Sequence, residues 1–276
     1  MKLSISNLAW QKTEDQAIFN LMKNAGFNGL EIAPSKVFED ILTVNDQQIF
    51  QYFELVKSHN LEFSSMQSLM FGKDDLKIFD DSRKETLIYL KKIIDLAKKL
   101  QIKVLIFGSP KNRKINDLDK KIAYNIAVEF FTQLAHYANS QGLVFCLEVV
   151  PKQYGCDFIT NTDEAVNFIK DINIKGLGLN IDSGAIILNE ENIEKAIEKS
   201  MPYAHHFHIS EPNLDLILNH KTNHKNFSNI LKKFGFNYWC SIEMKSEMKF
   251  EMKRNYKNSN LEVIKKTLEY IAEIYG

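Results

Sequence analysis

The sequence predicts an α/β fold, a single (β/α)8 TIM barrel that spans residues 1–276 as one domain. Short apolar runs alternate with longer amphipathic segments, and this alternation occurs eight times, which is typical of a parallel barrel with helices outside. The chain has 276 residues, of which 45% are hydrophobic, so it is long enough to bury one large core. A doubly wound open sheet is the alternative, but the repeat count and the length favour the barrel.

The eight short apolar runs are the predicted strands. Each run has five to seven residues, which is the usual length of a strand in a globular protein. In chain order the predicted strands are 2–6, 28–32, 61–67, 103–108, 143–148, 176–182, 205–210 and 239–244.

The segments between these runs have the apolar spacing of helices that bury one face. In 13–26, Ala17, Ile18, Leu21 and Met22 lie on one side, and a glycine ends the segment. Asparagine and threonine residues stand where helix caps are expected, at 45 and 162. The predicted helices are 13–26, 46–59, 81–101, 117–142, 162–172, 189–200, 224–235 and 259–276.

Composition excludes several classes of partner. The 35 basic and 35 acidic residues give a formal net charge of zero, so no overall basic field attracts nucleic acid or an anionic membrane. The three cysteines have no metal-finger spacing, and such a sparse, odd set is typical of a reducing compartment. No apolar run reaches transmembrane length, and the start of the chain lacks a signal-peptide core. We therefore expect a cytoplasmic protein with no membrane or nucleic-acid partner.

Four residues at or near the ends of the last four strands predict a metal site. They are Glu148, Asp182, His208 and Glu243, each about one βα unit from the next. The carboxyl ends of all strands in a parallel barrel open on one rim, so these side chains are expected to converge. Each of them alone is more often a helix cap or a rim carboxylate. Three converging carboxylates and one imidazole, however, suit one divalent ion such as Mn²⁺, Mg²⁺, Co²⁺ or Zn²⁺.

Four motifs resemble the xylose-isomerase-like TIM-barrel superfamily, in its sugar phosphate isomerase and epimerase branch. This branch includes ketose 3-epimerases, hydroxypyruvate isomerases and inosose dehydratases, and the resemblance spans nearly the whole chain. The motifs are CLEVVP (146–151), LNIDSGA (179–185), HFHIS (206–210) and SIEMK (241–245).

The resemblance implies a role for each of the four rim residues. All four are implied metal ligands, as in ketose 3-epimerases. Glu148 and Glu243 are also the implied acid–base pair, one removing a proton α to a carbonyl and the other returning one, through a metal-stabilised enediolate. Three positions depart from the epimerase pattern. Ala185 stands where a histidine is usual, Tyr154 stands where a glutamate is usual, and no arginine follows His208 closely. These departures concern the shell that contacts the sugar.

Other rim residues are predicted to bind the substrate. An aromatic face at Trp10 could stack on a sugar ring, and Glu31 could bind hydroxyls or pair with an arginine. The loop after the fourth strand offers donors for a phosphate, a carboxylate or hydroxyls, and Lys245 is placed to meet a substrate anion. Rim packing and a solvated basic turn are the structural alternatives. The predicted substrate-binding residues are Trp10, Glu31, Gln67, Ser109, Asn112, Arg113, Tyr154 and Lys245.

The predicted function is that of a divalent-metal-dependent sugar or sugar phosphate isomerase or epimerase, an enzyme with a small carbohydrate substrate. Members of the superfamily are often dimers or tetramers, so a homo-oligomer is expected. An inosose or dehydroshikimate dehydratase, a lyase, is the main alternative because it starts from the same proton removal. An endonuclease-IV-like DNA repair enzyme is disfavoured by Ala185 and by the zero net charge. A sugar-binding barrel without activity is disfavoured by the three converging acids.

Overall fold

The computed structural model describes residues 1–246 and 260–276. Its eight strands are parallel and form a closed barrel in which each strand pairs with the next and β8 pairs with β1. This confirms the predicted fold class and all eight predicted strands. They are β1 (Lys2–Ser6), β2 (Gly29–Ile32), β3 (Glu62–Met66), β4 (Val104–Phe107), β5 (Val144–Glu148), β6 (Leu177–Asp182), β7 (Ala204–Ser210) and β8 (Trp239–Glu243).

Helices connect the strands, and in the described residues none of them is both long and apolar enough to cross a membrane. The helices are α1 (Asp15–Asn24), α2 (Pro34–Val37), α3 (Asp46–Ser58), α4 (Arg83–Lys99), α5 (Lys120–Ser140), α6 (Thr162–Ile172), α7 (Ser183–Leu188), α8 (Ile193–Ser200), α9 (His224–Lys233) and α10 (Asn260–Tyr275).

Two helical segments differ from the predicted pattern. The helix α7 (Ser183–Leu188) was not among the predicted helices, and the side chain of Asp182 caps its start. The helix predicted over 189–200 begins only at Ile193, since Asn192 accepts a hydrogen bond from the main chain of Lys195 and so marks the true start. The first residue of the helix predicted over 259–276 lies outside the described residues.

An aromatic cluster joins the helices to the strands that carry the site. Phe131 of α5 is fully buried, and its ring centroid lies 5.8 Å from that of Phe107, 6.4 Å from Phe145 and 5.6 Å from Phe168. These partners belong to β4, β5 and α6, so one side chain fixes four elements against one another. The rings meet at steep or tilted angles, which is the favoured arrangement for aromatic pairs.

The barrel interior is polar toward the carboxyl ends of the strands. Ser65, Gln67 and His206 point inward from β3, from the residue after β3 and from β7, and all are buried and hydrogen-bonded to other interior groups. Deeper in the barrel, Val104, Ile106 and Cys146 form a small apolar layer. The interior therefore has an apolar layer below and a hydrogen-bonded polar layer beneath the rim.

Replacing Phe131 with alanine should destabilise the fold by about 3–5 kcal/mol, because a buried aromatic ring is lost and a cavity remains. Urea unfolding followed by circular dichroism measures this change. Ile122→Ala on the same helix is the control, since Ile122 is 54% exposed and its loss should cost less than about 0.5 kcal/mol. Equal midpoints for the two variants would contradict the central role of the cluster.

Candidate metal centre

The ends of β5 to β8 bring together the four residues that the sequence predicted to converge. Asp182 of β6 lies level with His208 of β7. Glu243 of β8 lies level with the residue two positions after His208. Each of Glu148, Asp182, His208 and Glu243 offers one ligand atom, and these atoms all lie within 4.8 Å of one another.

The imidazole of His208 lies at the centre of this group. Its Nδ1 is 3.0 Å from Oε1 of Glu148, 3.3 Å from Oε2 of Glu243 and 3.8 Å from Oδ2 of Asp182. His208 is fully buried, and the three acidic side chains are each at most 15% exposed. Three carboxylates this close in a buried site repel one another strongly unless a positive charge lies among them.

Asp182 is both a helix cap and a member of the group. Its Oδ1 accepts a hydrogen bond from the main-chain N–H of Ala185 at 2.5 Å, at the start of α7. Its Oδ2 accepts one from the hydroxyl of Ser210 at 2.7 Å and faces His208. Asp182 can therefore cap α7 and bind a metal ion at the same time, since each role uses a different oxygen. The two bonds fix the orientation of the carboxylate.

Glu31 orients His208 from the other side. Nε2 of His208 lies 3.1 Å from Oε2 of Glu31, which is fully buried and can only accept. The Nε2 atom therefore donates to Glu31, and Nδ1 faces the other carboxylates, where a metal ion would take the place of the Nδ1 proton, as in a carboxylate–histidine–metal arrangement. Burial by itself would raise the pKa of Glu31, but the positive charge of His208 and the hydrogen bonds of His206 and His208 hold it well below its usual range.

A second acidic and imidazole group, formed by Glu31, His206 and His208, lies deeper in the barrel. Its atoms already bond to one another, since Nε2 of His206 is 2.9 Å from Oε2 of Glu31. Ser65 also donates to that oxygen at 2.6 Å. This deeper group therefore acts as hydrogen-bonded support for His208.

Burial and mutual repulsion change the affinity of the site for protons. Burial, with the negative charges of Glu148 and Glu243, raises the pKa of Asp182 to about 7. Burial also raises the pKa of Glu243. Burial by itself would lower the pKa of His208, but the charges of Glu31 and Glu243 raise it well above its usual value. Without a metal the site thus holds protons, and a divalent ion with oxygen and imidazole ligands fits in their place.

A pocket of about 460 Å³ opens onto Glu148, Asp182 and Glu243; we call it the rim pocket. Three of the predicted substrate-binding residues, Ser109, Tyr154 and Lys245, line it. The remaining lining residues are Gly108, Pro110, Val149, Val150, Pro151, Ala185, Ser210, Glu211, Asn213 and Leu214. The phenol oxygen of Tyr154 accepts a hydrogen bond from the main-chain N–H of Asn213 at 2.6 Å, which ties two loops of the pocket together.

Trp10 and Gln67 lie outside the rim pocket, contrary to their predicted contact with substrate. Trp10 is fully buried, and its indole N–H donates to Asp15 at 2.7 Å, so neither ring face is open to a sugar. Gln67 is buried too, and its amide donates to Ser6 at 2.8 Å and to Glu31 at 2.6 Å. Both side chains have structural partners that use up their polar groups.

Glu31, Asn112 and Arg113 also lie outside the rim pocket. Glu31 pairs with the two histidines and not with Arg113, the partner considered from the sequence. Asn112 donates to two main-chain carbonyls at 2.7 Å each. Arg113 is fully buried and donates to the carbonyl of Glu148 at 2.8 Å, so it braces the end of β5. The loop after β4, which was predicted to offer donors to a substrate, therefore directs the side chains of Asn112 and Arg113 into the protein interior.

Asn180 and Gly108, which were not predicted from the sequence, both lie next to Glu148. The amide of Asn180 lies 3.1 Å from Oε1 of Glu148 and 3.0 Å from Nδ1 of His208. Asn180 stands two positions before Asp182, so strand alternation already placed it on the same face. Gly108 could not have been identified in this way. A Cβ atom there would lie 2.5 Å from Oε2 of Glu148, so glycine leaves the space that this carboxylate occupies.

Replacing Gly108 with alanine should displace the carboxylate of Glu148 and weaken Mn²⁺ binding by about 10- to 100-fold, as expected when support for a ligand is disturbed. The clash falls on the end of a flexible side chain, so the melting temperature of the metal-free protein should change little. Titration calorimetry and thermal unfolding measure the two properties. Unchanged Mn²⁺ affinity would show that Glu148 does not depend on this space.

Metal affinity should fall as the pH falls from 8 to 6, because the ion must displace the proton that Asp182 holds below its pKa of about 7. The expected slope is about tenfold per pH unit for each displaced proton. Since the folded pKa exceeds the ordinary value of 3.8, the metal-free fold should also lose stability as the pH rises toward 8. Calorimetry in buffers of different ionisation enthalpy counts the released protons, and none released at pH 6 would contradict this.

The chain matches known proteins in both sequence and fold. Residues 19–274 match the family described as Xylose isomerase-like TIM barrel. A D-psicose 3-epimerase of Agrobacterium fabrum is 28% identical over 96 residues, which are 35% of this chain and about a third, 33%, of that relative.

Two solved structures share the fold along the whole chain. A D-psicose 3-epimerase in the presence of D-fructose has a TM-score of 0.82 at 18% identity, with 100% of both chains covered. An L-ribulose 3-epimerase has a TM-score of 0.79 at 15% identity, with 100% of this chain and 95% of that chain covered. At these identities the likeness concerns the fold. The family match covers most of the sequence, and the chain belongs to the xylose isomerase-like TIM-barrel family.

Proposed function

We propose that this protein is a divalent-metal-dependent epimerase or isomerase of a sugar or sugar phosphate, which acts by removing a proton α to a carbonyl. The observation that carries the proposal is the convergence of Glu148, Asp182, His208 and Glu243 at the rim pocket. Family membership and the likeness to proteins named as sugar epimerases support it. A pocket of this size is suited to a small carbohydrate.

The same four residues would hold one divalent ion. A bound ion supplies Lewis-acid chemistry, because it stabilises the negative charge that develops on the carbonyl oxygen when the α-proton leaves. The chain provides the geometry. Asp182 is fixed by the N–H of Ala185 and by Ser210, and His208 is fixed by Glu31. Ligands fixed in this way lose little entropy when the ion binds.

Glu148 and Glu243 are the proposed bases. Oε1 of Glu148 faces His208 and Asn180, and Oε2 of Glu243 faces His208. Among the described residues, the second oxygen of each glutamate makes no hydrogen bond, so it is free to take a proton from substrate. Burial raises the pKa of Glu243, which makes it a stronger base near neutral pH.

The product depends on which glutamate removes the proton and which one returns it. If one glutamate removes a proton from one face of the carbon and the other returns a proton to the opposite face, the carbon is inverted and the reaction is an epimerisation. If one glutamate moves the proton between neighbouring carbons, the reaction is an aldose–ketose isomerisation. Apolar side chains of the rim pocket, including Val149, Val150 and Leu214, lower the local polarity and so strengthen electrostatic interactions between the two glutamates and a substrate.

A dehydratase would begin with the same proton removal and would then lose a β-hydroxyl group as water. The relatives and structures reported above are named as epimerases, which favours epimerisation over this alternative. The products separate the two reactions directly, since a lyase changes the number of oxygen atoms in the substrate and an epimerase does not.

Incubation of the Mn²⁺-loaded protein in D₂O with a panel of ketoses, aldoses, their phosphates and inososes should place deuterium α to the carbonyl, as detected by NMR. A new epimer or isomer should form at the same time. Loss of water in place of a new epimer would identify a lyase, and no exchange with any compound would contradict the proposed function.

Glu148→Gln and Glu243→Gln should each keep the fold and slow exchange by about 10²- to 10⁴-fold, since each removes a proton-transfer group. Glu129→Gln on the exposed face of α5 is the matched control and should exchange at the normal rate. Circular dichroism checks the fold of each variant. A Glu243→Gln variant with normal turnover would contradict the two-base mechanism.

A further inference from the structure

Lys245 is the one cation among the described residues that line the rim pocket, where four carboxylates also lie. We infer that the substrate carries an anionic group, a carboxylate or a phosphate, and that the ammonium group of Lys245 binds it. This inference rests on the proposed function and narrows its substrate class to charged molecules. Three structural features of Lys245 support it.

The first feature is the environment of the Lys245 side chain. Its side chain is half-buried in the pocket wall and makes no ion pair or hydrogen bond within residues 1–246 and 260–276. Several other lysines pair with a carboxylate at 2.5–2.9 Å: Lys99, Lys111, Lys199, Lys221 and Lys233. An anionic ligand in the pocket would pair with this ammonium group.

The second feature is that the main chain holds Lys245 in place. The N–H of Lys245 donates to the carbonyl of Leu214 at 3.0 Å, which joins the end of β8 to the loop after β7. Its neighbours Met244 and Ser246 are both fully buried, and the hydroxyl of Ser246 donates to the carbonyl of Ala9. With both neighbours anchored in the interior, the side chain between them is directed into the pocket.

The third feature is the chemistry of the surrounding wall. Ala185, Leu214, Val149 and Val150 make part of that wall apolar. Glu211 also lines the pocket, but its carboxylate is taken up by Thr222 at 2.8 Å and 3.2 Å and by a buried histidine. With Glu211 already bonded, the ammonium group of Lys245 is a lining group that would distinguish a charged substrate from a neutral one.

The position of Lys245 relative to Glu243 limits the size of such a substrate. The two Cα atoms are two residues apart, at most about 7 Å. Because both side chains line the same pocket, one small molecule could contact Lys245 with an anionic group and present its reacting carbon to Glu243. Lysine suits this task because its ammonium group is a compact charge on a flexible stem.

Calorimetry on the Mn²⁺-loaded protein tests the inference with compounds that differ in charge. D-fructose is compared with D-fructose 6-phosphate, and glycolaldehyde with hydroxypyruvate, so that one pair tests a phosphate and the other a carboxylate. The charged member of at least one pair should bind more tightly than its neutral partner, and the pair that discriminates identifies the group. Lys245→Met should weaken that binding by about 10- to 100-fold, the usual effect of losing a charged hydrogen bond.

Two further variants complete the design. Lys245→Arg should retain most of the preference, because it keeps the positive charge, and Lys199→Met, far along the chain on α8, should bind as the unchanged protein does. With a charged substrate, Lys245→Met should raise KM more than it lowers kcat, because the ammonium group binds a part of the substrate away from the reacting carbon.

Charged and neutral members bound equally, or a preference untouched by Lys245→Met, would overturn the inference. Binding is measured without turnover, so this result is separable from the proposed function. A protein that prefers the charged compounds but exchanges no proton would support the role of Lys245 and contradict the epimerase or isomerase activity. A protein that exchanges the α-proton of neutral ketoses as fast as that of charged ones would support the epimerase or isomerase activity and contradict the role of Lys245.

Discussion

The repulsion among Glu148, Asp182 and Glu243 around one imidazole is the constraint on which the rest of the site depends. Three carboxylates within a few ångströms, shielded from water, cannot all be charged without a cation among them. The surrounding residues are arranged to hold this group together. Ser210 and the N–H of Ala185 donate to Asp182, and fixed donors of this kind lower the free energy of a buried negative charge.

The barrel makes this arrangement possible because adjacent parallel strands end at the same rim. β5 to β8 each contribute one residue, and their register sets Asp182 level with His208. Below the rim, the polar layer around Glu31 holds the imidazole from behind, and an aromatic cluster outside the barrel fixes β4 and β5 to their helices. Packing far from the site thereby determines the geometry of its ligands.

The rim pocket differs from the epimerase pattern in its wall residues more than in the four converging residues Glu148, Asp182, His208 and Glu243. Ala185 and Tyr154 stand where histidine and glutamate are expected from the resemblance, and no arginine follows His208 closely, so the side chains offered to a substrate differ from that pattern. Lys245 introduces a positive charge in the same wall. On the proposed function, the four converging residues would perform the reaction and the pocket walls would select the substrate.

The sequence by itself determined the barrel, the positions of its strands and the convergence of the four rim residues, because strand alternation and the βα repeat are local periodic patterns. Only the tertiary structure decided the rest. The local sequence predicted Trp10 and Arg113 as rim residues that contact substrate. In the structure both are buried: Trp10 donates to Asp15, and Arg113 donates to the carbonyl of Glu148. The space at Gly108 and the support of His208 by Glu31 join residues from different strands. Such contacts depend on how strands pack against one another, and local sequence patterns do not predict that packing.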